Sequence, residues 1–453
     1  MGDSPAEDQP DAPPAESPAA PRSGFRLLAT RSRLWVPGAL HPHFGAVRFK
    51  PIGVHIAAGE ALTENSRGYE HTPVAPVAGQ IIDTGRVTLT NLSEVAAVLL
   101  EPAAESTVLR EIEPATTEAV SGMLAGLAPA KLGACLDQLR SAGVWADRWT
   151  SPDLLGQLHA CLRSKADIVL CNLLDADRAL AINFACAGEY PAEIVAAVAG
   201  LARLTGAGRA WFAVDAEEDP KAWAALQRVA AQVAGDLRFV PIDNDYPQPD
   251  PTLLLHALTG RRLRPGRMPT DQGVLLLDAA AAFAVGRALL HGEPMLRVPL
   301  AVHDRSALAF DADPADATHL VLASVGTPLA DILDQLDIAH GTSRRGLDFW
   351  AGAPLRERRL TPQCVIAGGE LGIFVAPRDP SINPNPCIRC GWCVEGCPVD
   401  AHPAALLDAA QRDDLSQVDA YGLGACIECG ICSYVCPSHL PLLQGIRTLR
   451  RTT

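Results

Sequence analysis

Eight cysteines near the end of the 453-residue chain have the residue type and spacing for metal chemistry. Cys387, Cys390, Cys393 and Cys397, the last followed by Pro398, form C-x2-C-x2-C-x3-C-P. Cys426, Cys429, Cys432 and Cys436, followed by Pro437, repeat it without deviation. Three thiolates two residues apart on a tight loop can converge on three corners of a [4Fe-4S] cube, while the fourth is carried away by a helical turn and a proline. A pair of zinc sites is the competing reading, but zinc usually draws its ligands as two separated pairs. Two [4Fe-4S] clusters, and with them one-electron transfer, are the expectation.

The spacing resembles that of bacterial ferredoxins. The resemblance implies crossed ligation, with Cys387, Cys390, Cys393 and Cys436 on one cluster and Cys426, Cys429, Cys432 and Cys397 on the other. Trp392 and Tyr434 lie in the cysteine loops, where packing against the clusters is expected. His439 either hydrogen-bonds near a cluster or caps the next turn. Cys135, Cys161, Cys171, Cys186 and Cys364 stand in apolar or helical surroundings and read as small buried hydrophobes.

Composition narrows the remaining classes. With 38 Lys+Arg against 52 Asp+Glu the net charge is −14, which leaves no basic footprint for nucleic acid. Residues 1–24 are acidic and rich in Pro and Ala, lack the features of a secretory signal, and read as a disordered tail. Thirteen cysteines without an export signal point to a reducing, cytoplasmic setting. The most apolar run, GVLLLDAAAAFAVGRALL, is interrupted by Asp278 and Arg287 and is too short to span a membrane, so a membrane role is expected only through partners. Asp413-Asp414 read as part of a polar helix, and no Ser/His/Asp or Cys/His constellation has a supporting context.

The elements that would position the cysteines fall into a multidomain α/β order. Residues 25–114 carry short alternating runs punctuated by Gly59, Gly79 and Gly85, as in a β-sandwich. Residues 115–270 alternate helical patterns with apolar strands, as in a doubly wound, Rossmann-like parallel sheet. Residues 271–345 read as a small α+β module whose helix starts carry the Asp278 and Thr327-Pro328 signals, and 346–453 as the helical two-cluster domain, ending in RTLRR as a solvated helix end.

This order, with PCIRCGWCVEGCP and CIECGICSYVCPSHLPL at its end, resembles the C subunit of the Rnf complex, a membrane-bound ion-translocating ferredoxin:NAD oxidoreductase, over about residues 30–450. The resemblance implies a barrel-sandwich hybrid at 25–114 and an SLBB-like β-grasp module around VGTPLADIL. It implies integral membrane and other Rnf-like subunits as partners on the cytoplasmic face, and a donor such as ferredoxin or another electron carrier.

It also implies a glycine-rich phosphate loop for FMN and NADH, in which glycines let backbone N–H groups approach phosphate. Here the corresponding segment is RSAGVWADRWTSPDLL. After Gly143, the side chains of Ala146, Asp147, Arg148 and Trp149 stand where glycines belong. The next family motif is CNLLDADRA, with Asn172 kept, Asp175 and Asp177 for glutamates, Leu173 for glycine and Arg178 for proline. Weak or absent FMN and NADH binding is therefore expected. Arg148 and Arg178 are the cations a rearranged loop could offer a phosphate, surface placement being the alternative. An electron-transfer subunit leads; a working FMN/NADH-dependent oxidoreductase subunit of Rnf or cobalamin reductase type is the alternative, and a scaffold stapled by its clusters is a third reading.

Overall fold

The computed structural model describes residues 24–452 apart from 42–46, 65–70, 105–111, 234, 307–316, 341–345 and 379–381; the expected tail at 1–24 lies almost wholly outside them. Five strands open the chain: β1 (Arg26–Leu27), β2 (Leu34–Pro37), β3 (His55–Ile56), β4 (Gly79–Thr88) and β5 (Glu94–Pro102). Four form an antiparallel sheet ordered β2-β5-β4-β3. Gly79 is obligatory there, because a Cβ would stand 2.2 Å from the Glu101 carbonyl oxygen across the hairpin. β1 leaves this unit and pairs in parallel with a strand near residue 321, so the first described strand ties the N-terminal unit to the third.

The parallel sheet consists of β6 (Ile168–Asn172), β7 (Arg209–Asp215), β8 (Leu237–Ile242) and β9 (Val274–Asp278), ordered β8-β7-β6-β9. Every residue of β6 and β9 is buried, as continuous apolar runs covered on both faces require. Helix Pro191–Thr205 crosses helix Ala279–His291 closely enough that a Cβ on Gly286 would meet the Glu193 carbonyl oxygen at 2.1 Å. β7 and β8 extend the sheet to one side of β6 and β9 returns on the other, which makes the carboxyl ends of β6 and β9 the switch point where such sheets open a crevice. Asn172 and Asp278 stand side by side there in register.

That arrangement corrects the boundary expected at 270. β9 and helix Ala279–His291 complete the parallel-sheet unit instead of opening the next module. A second correction follows at 345. β10 (Arg297–Asp304), β11 (Thr318–Ser324), β12 (Leu347–Ala351), β13 (Arg359–Leu360) and β14 (Gly372–Pro377) form a mixed sheet ordered β1-β11-β10-β14-β12-β13, which carries the third unit to residue 377. Helix Leu329–Gln335 buries Leu329, Ile332 and Leu333 in it.

The cysteine segment has its own small core. Leu406 and Leu407 from helix Pro403–Arg412 pack against Leu442, Ile446 and Leu449 from helix Leu442–Thr452. Asp413 closes the first of these helices in a left-handed turn, so Asp413-Asp414 lie beyond its end and not within it. No single described helix is long and apolar enough to cross a membrane.

Candidate iron–sulfur centre and the crevice beside it

The sequence repeat becomes a repeat of backbone geometry. Arg389 and Glu428, 39 residues apart, both take positive φ, 57° and 54°. Gly391 and Gly430 follow at 87° and 84°, and Asp400 and His439 at 58° and 51°. Each left-handed residue turns the loop so that an amide faces a sulfur: Arg389 N donates to Cys387 Sγ and Glu428 N to Cys426 Sγ, both at 3.4 Å. Ala401 N donates to Cys397 Sγ at 3.3 Å. Four-residue helices, Trp392–Glu395 and Ile431–Tyr434, then carry the third cysteine of each run inward, where Cys393 and Cys432 are buried.

The fourth cysteines cross over. Cys436, from the second run, lines a cavity of about 480 Å³ together with Cys387, Cys390 and Cys393 of the first. Cys397 in turn lies within electrostatic reach of Cys426, Cys429 and Cys432. These sulfurs surround space instead of gathering at a point. Among the described residues no three His, Cys, Asp or Glu side chains could hold a single ion, as zinc with Zn–S bonds of about 2.3 Å demands. Four thiols around one cavity are the donor set that a [4Fe-4S] cube takes at its corners. Burial pushes the Cys432 thiol up to about 12 and Cys429 up to about 11, so ligation and not the protein's field supplies the thiolates.

The two loops differ in what they touch. Cys387 and Cys390 are exposed, and so are Ile388, Trp392 and Tyr434, at 67%, 54% and 73%. The aromatic pair thus stands in solvent, which corrects the expectation of packing. His439 is likewise exposed and forms no side-chain hydrogen bond among the described residues; its left-handed backbone is what shapes the turn. The Cys426 loop, by contrast, is clamped to the body. Glu428 accepts from Arg447 Nε at 2.9 Å and Arg450 Nη1 at 2.8 Å. Burial works against its charge, but Arg447, Arg450 and Arg358 prevail and hold the carboxyl down at about 2. RTLRR is therefore a clamp, not the solvated end expected. On the other side Tyr246 donates its hydroxyl to the Cys429 carbonyl oxygen.

Each expected nucleotide-loop residue has a structural occupation. Gly143 takes φ 64° just past helix Leu132–Ser141 and ends it, with Val144 N bonded to the Leu139 carbonyl. Asp147 pairs with His41 Nε2 at 2.5 Å and accepts from Asp153 N at 3.1 Å. Arg148 donates to Asp278 from Nε at 2.5 Å and Nη2 at 2.6 Å, and to the Gly368 carbonyl at 2.8 Å. Asn172 accepts from Leu174 N at 3.1 Å and donates to the Pro249 carbonyl at 3.1 Å. Asp175 accepts from Asn183 N at 2.9 Å, and burial pushes it up to about 7. Asp177 accepts from Ala179 N at 3.0 Å. Arg178 joins Asp215 at 3.0 Å and Glu217. Neither expected cation is thus free for a phosphate: Arg148 is buried in an ion pair at the switch point, and Arg178 is shared by two carboxylates.

Trp149 completes the filling. It lies 5.8 Å from Tyr246, centroid to centroid, with the Arg356 guanidinium 4.6 Å above its ring. Asp278, Tyr246, Arg356 and the Glu428 clamp carried no local sequence signal of this role, apart from the helix-start signal of Asp278. That signal is real, since Asp278 Oδ1 accepts from Ala281 N at 2.9 Å.

Comparison with known proteins agrees with this geometry. A family model described as the Nuo51 FMN-binding domain matches residues 157–287, beginning after the altered loop, and one described as a 4Fe-4S dicluster domain matches 386–440. The C subunit of the ion-translocating oxidoreductase complex from Pasteurella multocida is 27% identical over 57% of this chain and 30% of its own length. Its counterpart from Vibrio cholerae is 25% identical over 82% and 46%. The chain is an RnfC-like protein. The C subunit of the proton-translocating ferredoxin:NAD(+) oxidoreductase complex from Clostridium ljungdahlii is 22% identical over 55% of the RnfC-like chain and 52% of its own length. The RnfC-like chain therefore spans about half or less of these curated relatives. A solved NAD+-reducing [NiFe]-hydrogenase chain in the H2-reduced state aligns with TM-score 0.47 and 14% identity over 77% of this chain and 67% of that one.

Proposed function

We propose that this protein is an iron–sulfur electron-transfer subunit of an Rnf-like complex, with Cys387, Cys390, Cys393 and Cys436 holding one [4Fe-4S] cluster and Cys426, Cys429, Cys432 and Cys397 the other. Such clusters, when bound, accept and release electrons one at a time. The observation that carries the reading is the crossing of two complete thiol sets beside a crevice that the chain fills with its own Arg148 and Trp149. Glu428, Arg447, Arg450 and Tyr246 hold the Cys426 loop against the body, while the Cys387 loop keeps two thiols exposed. The inner set faces the former nucleotide unit and the outer set faces a partner.

Membrane and other Rnf-type subunits are the partners in this reading, with a ferredoxin or similar carrier as donor, on the cytoplasmic face. The match to an FMN-binding family model favours the second reading, an FMN/NADH-dependent oxidoreductase subunit. The first is tested by anaerobic reconstitution and reduction with dithionite, followed by electron paramagnetic resonance. Two reducible, magnetically interacting clusters that a one-electron acceptor reoxidises support it; a pair that resists reduction would make the clusters staples only.

A further inference from the structure

The Cys426 loop rests on a wall of cations that the Cys387 loop lacks. Arg356, Arg358 and Arg450 line one cavity together with Ile427 and Glu428 of that loop. The turn Pro354–Arg356 lies directly beneath it, since a Cβ on Gly430 would strike the Leu355 carbonyl oxygen. Arg447 donates from Nη2 to the Arg356 carbonyl at 2.6 Å and from Nε to Glu428 at 2.9 Å. Arg450 reaches furthest in. It donates to the Cys426 carbonyl oxygen, and where burial opposes the Cys426 thiolate, the Arg450 charge favours it.

Counter-charge on this wall falls short. Glu428 is shared by Arg447 and Arg450, and Glu370 stands 3.7 Å from Arg356. Asp250 faces the same cavity, but it caps helix Pro251–Thr259, and burial pushes it up to about 6. Asp400, near Cys397, is taken by Arg262 at 2.7 Å. Arg358 is left over: Glu428 lies 3.9 Å from it, and its side chain forms no hydrogen bond among the described residues. Burial and the neighbouring Arg356 charge push Arg358 down to about 10, as surplus positive charge does. Around the outer set, by contrast, Arg412 and Asp408 pair with each other at 3.0 Å, and Arg389 and Glu395 are exposed. Solvent screens those charges, whereas charges on a buried wall act through a lower dielectric.

A [4Fe-4S] cluster on four thiolates is an anion that gains one more negative charge on reduction, so charge, hydrogen bonds and exposure set its potential. The amide-to-sulfur bonds at Arg389 and Glu428 are both 3.4 Å and do not separate the two sets. Burial disfavours the added charge on the inner set, and the arginine wall favours it. The cost of burial falls with the size of the ion, and a cluster spreads its charge over its iron and sulfur atoms, whereas each guanidinium acts with full charge; the wall prevails. Resting on the two-cluster reading above, we propose that Arg358, with Arg356, Arg447 and Arg450, is the counter-charge of the inner cluster. These residues set its potential above that of the outer cluster, so that an electron delivered by a one-electron carrier comes to rest on the inner one.

Redox titration of the reconstituted protein, followed by electron paramagnetic resonance, tests this. Cys390→Ser, which takes a ligand from the outer cluster, alters one of the two one-electron waves and so assigns both. The inner wave should be the higher. Arg358→Gln should make reduction of the inner cluster roughly tenfold less favourable, about 59 mV for one electron, with the outer wave unmoved. Arg358→Lys, which keeps the charge, should restore the inner wave, and the distant, exposed Arg228→Gln should move neither. If R358Q does not load iron, the wild-type order decides. An inner wave at or below the outer one, or one that R358Q leaves in place, overturns the proposal. A pair of clusters that no reductant reduces would sink the electron-transfer reading itself and the proposal with it, so the two failures are distinct.

Discussion

Arg148 and Asp278, 130 residues apart in sequence, close on each other through two hydrogen bonds at the one point where the parallel sheet would open a crevice. Both side chains are buried, at 5% and 2%, and Thr150 adds its hydroxyl to the same carboxylate at 2.9 Å. A pair so placed does not stabilise by attraction alone, because both charges give up water; removing one partner is costly because it strands the other.

Arg148→Ala should therefore lower the unfolding free energy by about 3–5 kcal/mol. Arg86→Ala, which breaks an exposed pair with Glu94, should cost at most about 1 kcal/mol. Urea unfolding followed by tryptophan fluorescence measures both. Equal costs would contradict the buried-pair account.

Crossed ligation predicts which cluster each fourth cysteine serves. Cys436→Ser should remove the cluster held by Cys387, Cys390 and Cys393, and Cys397→Ser the one held by the second run. Each variant should retain about four irons of about eight. Magnetic resonance of Cys436→Ser should resemble that of Cys387→Ser; resemblance to Cys426→Ser would show that each run serves its own cluster.

Gly391 and Gly430 are repeats of one another in conformation, yet their surroundings differ. A Cβ on Gly391 meets nothing closer than Glu395 Oε1 at 3.7 Å, whereas one on Gly430 would stand 1.6 Å from the Leu355 carbonyl oxygen. Gly391→Ala should cost about 1–2 kcal/mol of backbone strain and keep both clusters. Gly430→Ala must displace the loop from the body and should lose the inner cluster. Iron quantitation on the two variants, purified alike, distinguishes them; equal iron would contradict the clamp.

Asp175 predicts a pH dependence. Burial raises its folded-state pKa to about 7 although backbone amides oppose the shift, while an unfolded aspartate titrates near about 3.9. Between these values the folded chain holds a proton that the unfolded chain has released. Stability from this group is therefore present at low pH and is lost as pH rises through about 7, by up to about 4 kcal/mol. Asp175→Asn should flatten the wild-type curve between pH 5 and 8; parallel curves would contradict it.

Legibility in the sequence tracked locality. The cysteine spacing is a local pattern, and in the folded chain Cys436 lines one cavity with Cys387, Cys390 and Cys393. Helix starts were also legible, as at Asp278. What was not legible depends on contacts far along the chain. RTLRR reads as solvated because terminal arginines usually are, and only the folded chain brings Arg447 and Arg450 onto Glu428. A five-residue apolar strand such as β9 does not say which sheet it joins, so the boundary expected at 270 fell one strand and one helix too early. The loss of the glycine loop was readable from Asp147, Arg148 and Trp149; what replaces it, an ion pair with Asp278, was not.

The most direct test of the electron-relay reading with a self-filled crevice is reconstitution with iron, sulfide and FMN, followed by iron and flavin quantitation and NADH addition to the same anaerobic sample. The account predicts about eight irons, no bound flavin and no reduction of the clusters by NADH. About eight irons with stoichiometric flavin and NADH-reducible clusters would contradict it and make the protein a working dehydrogenase subunit.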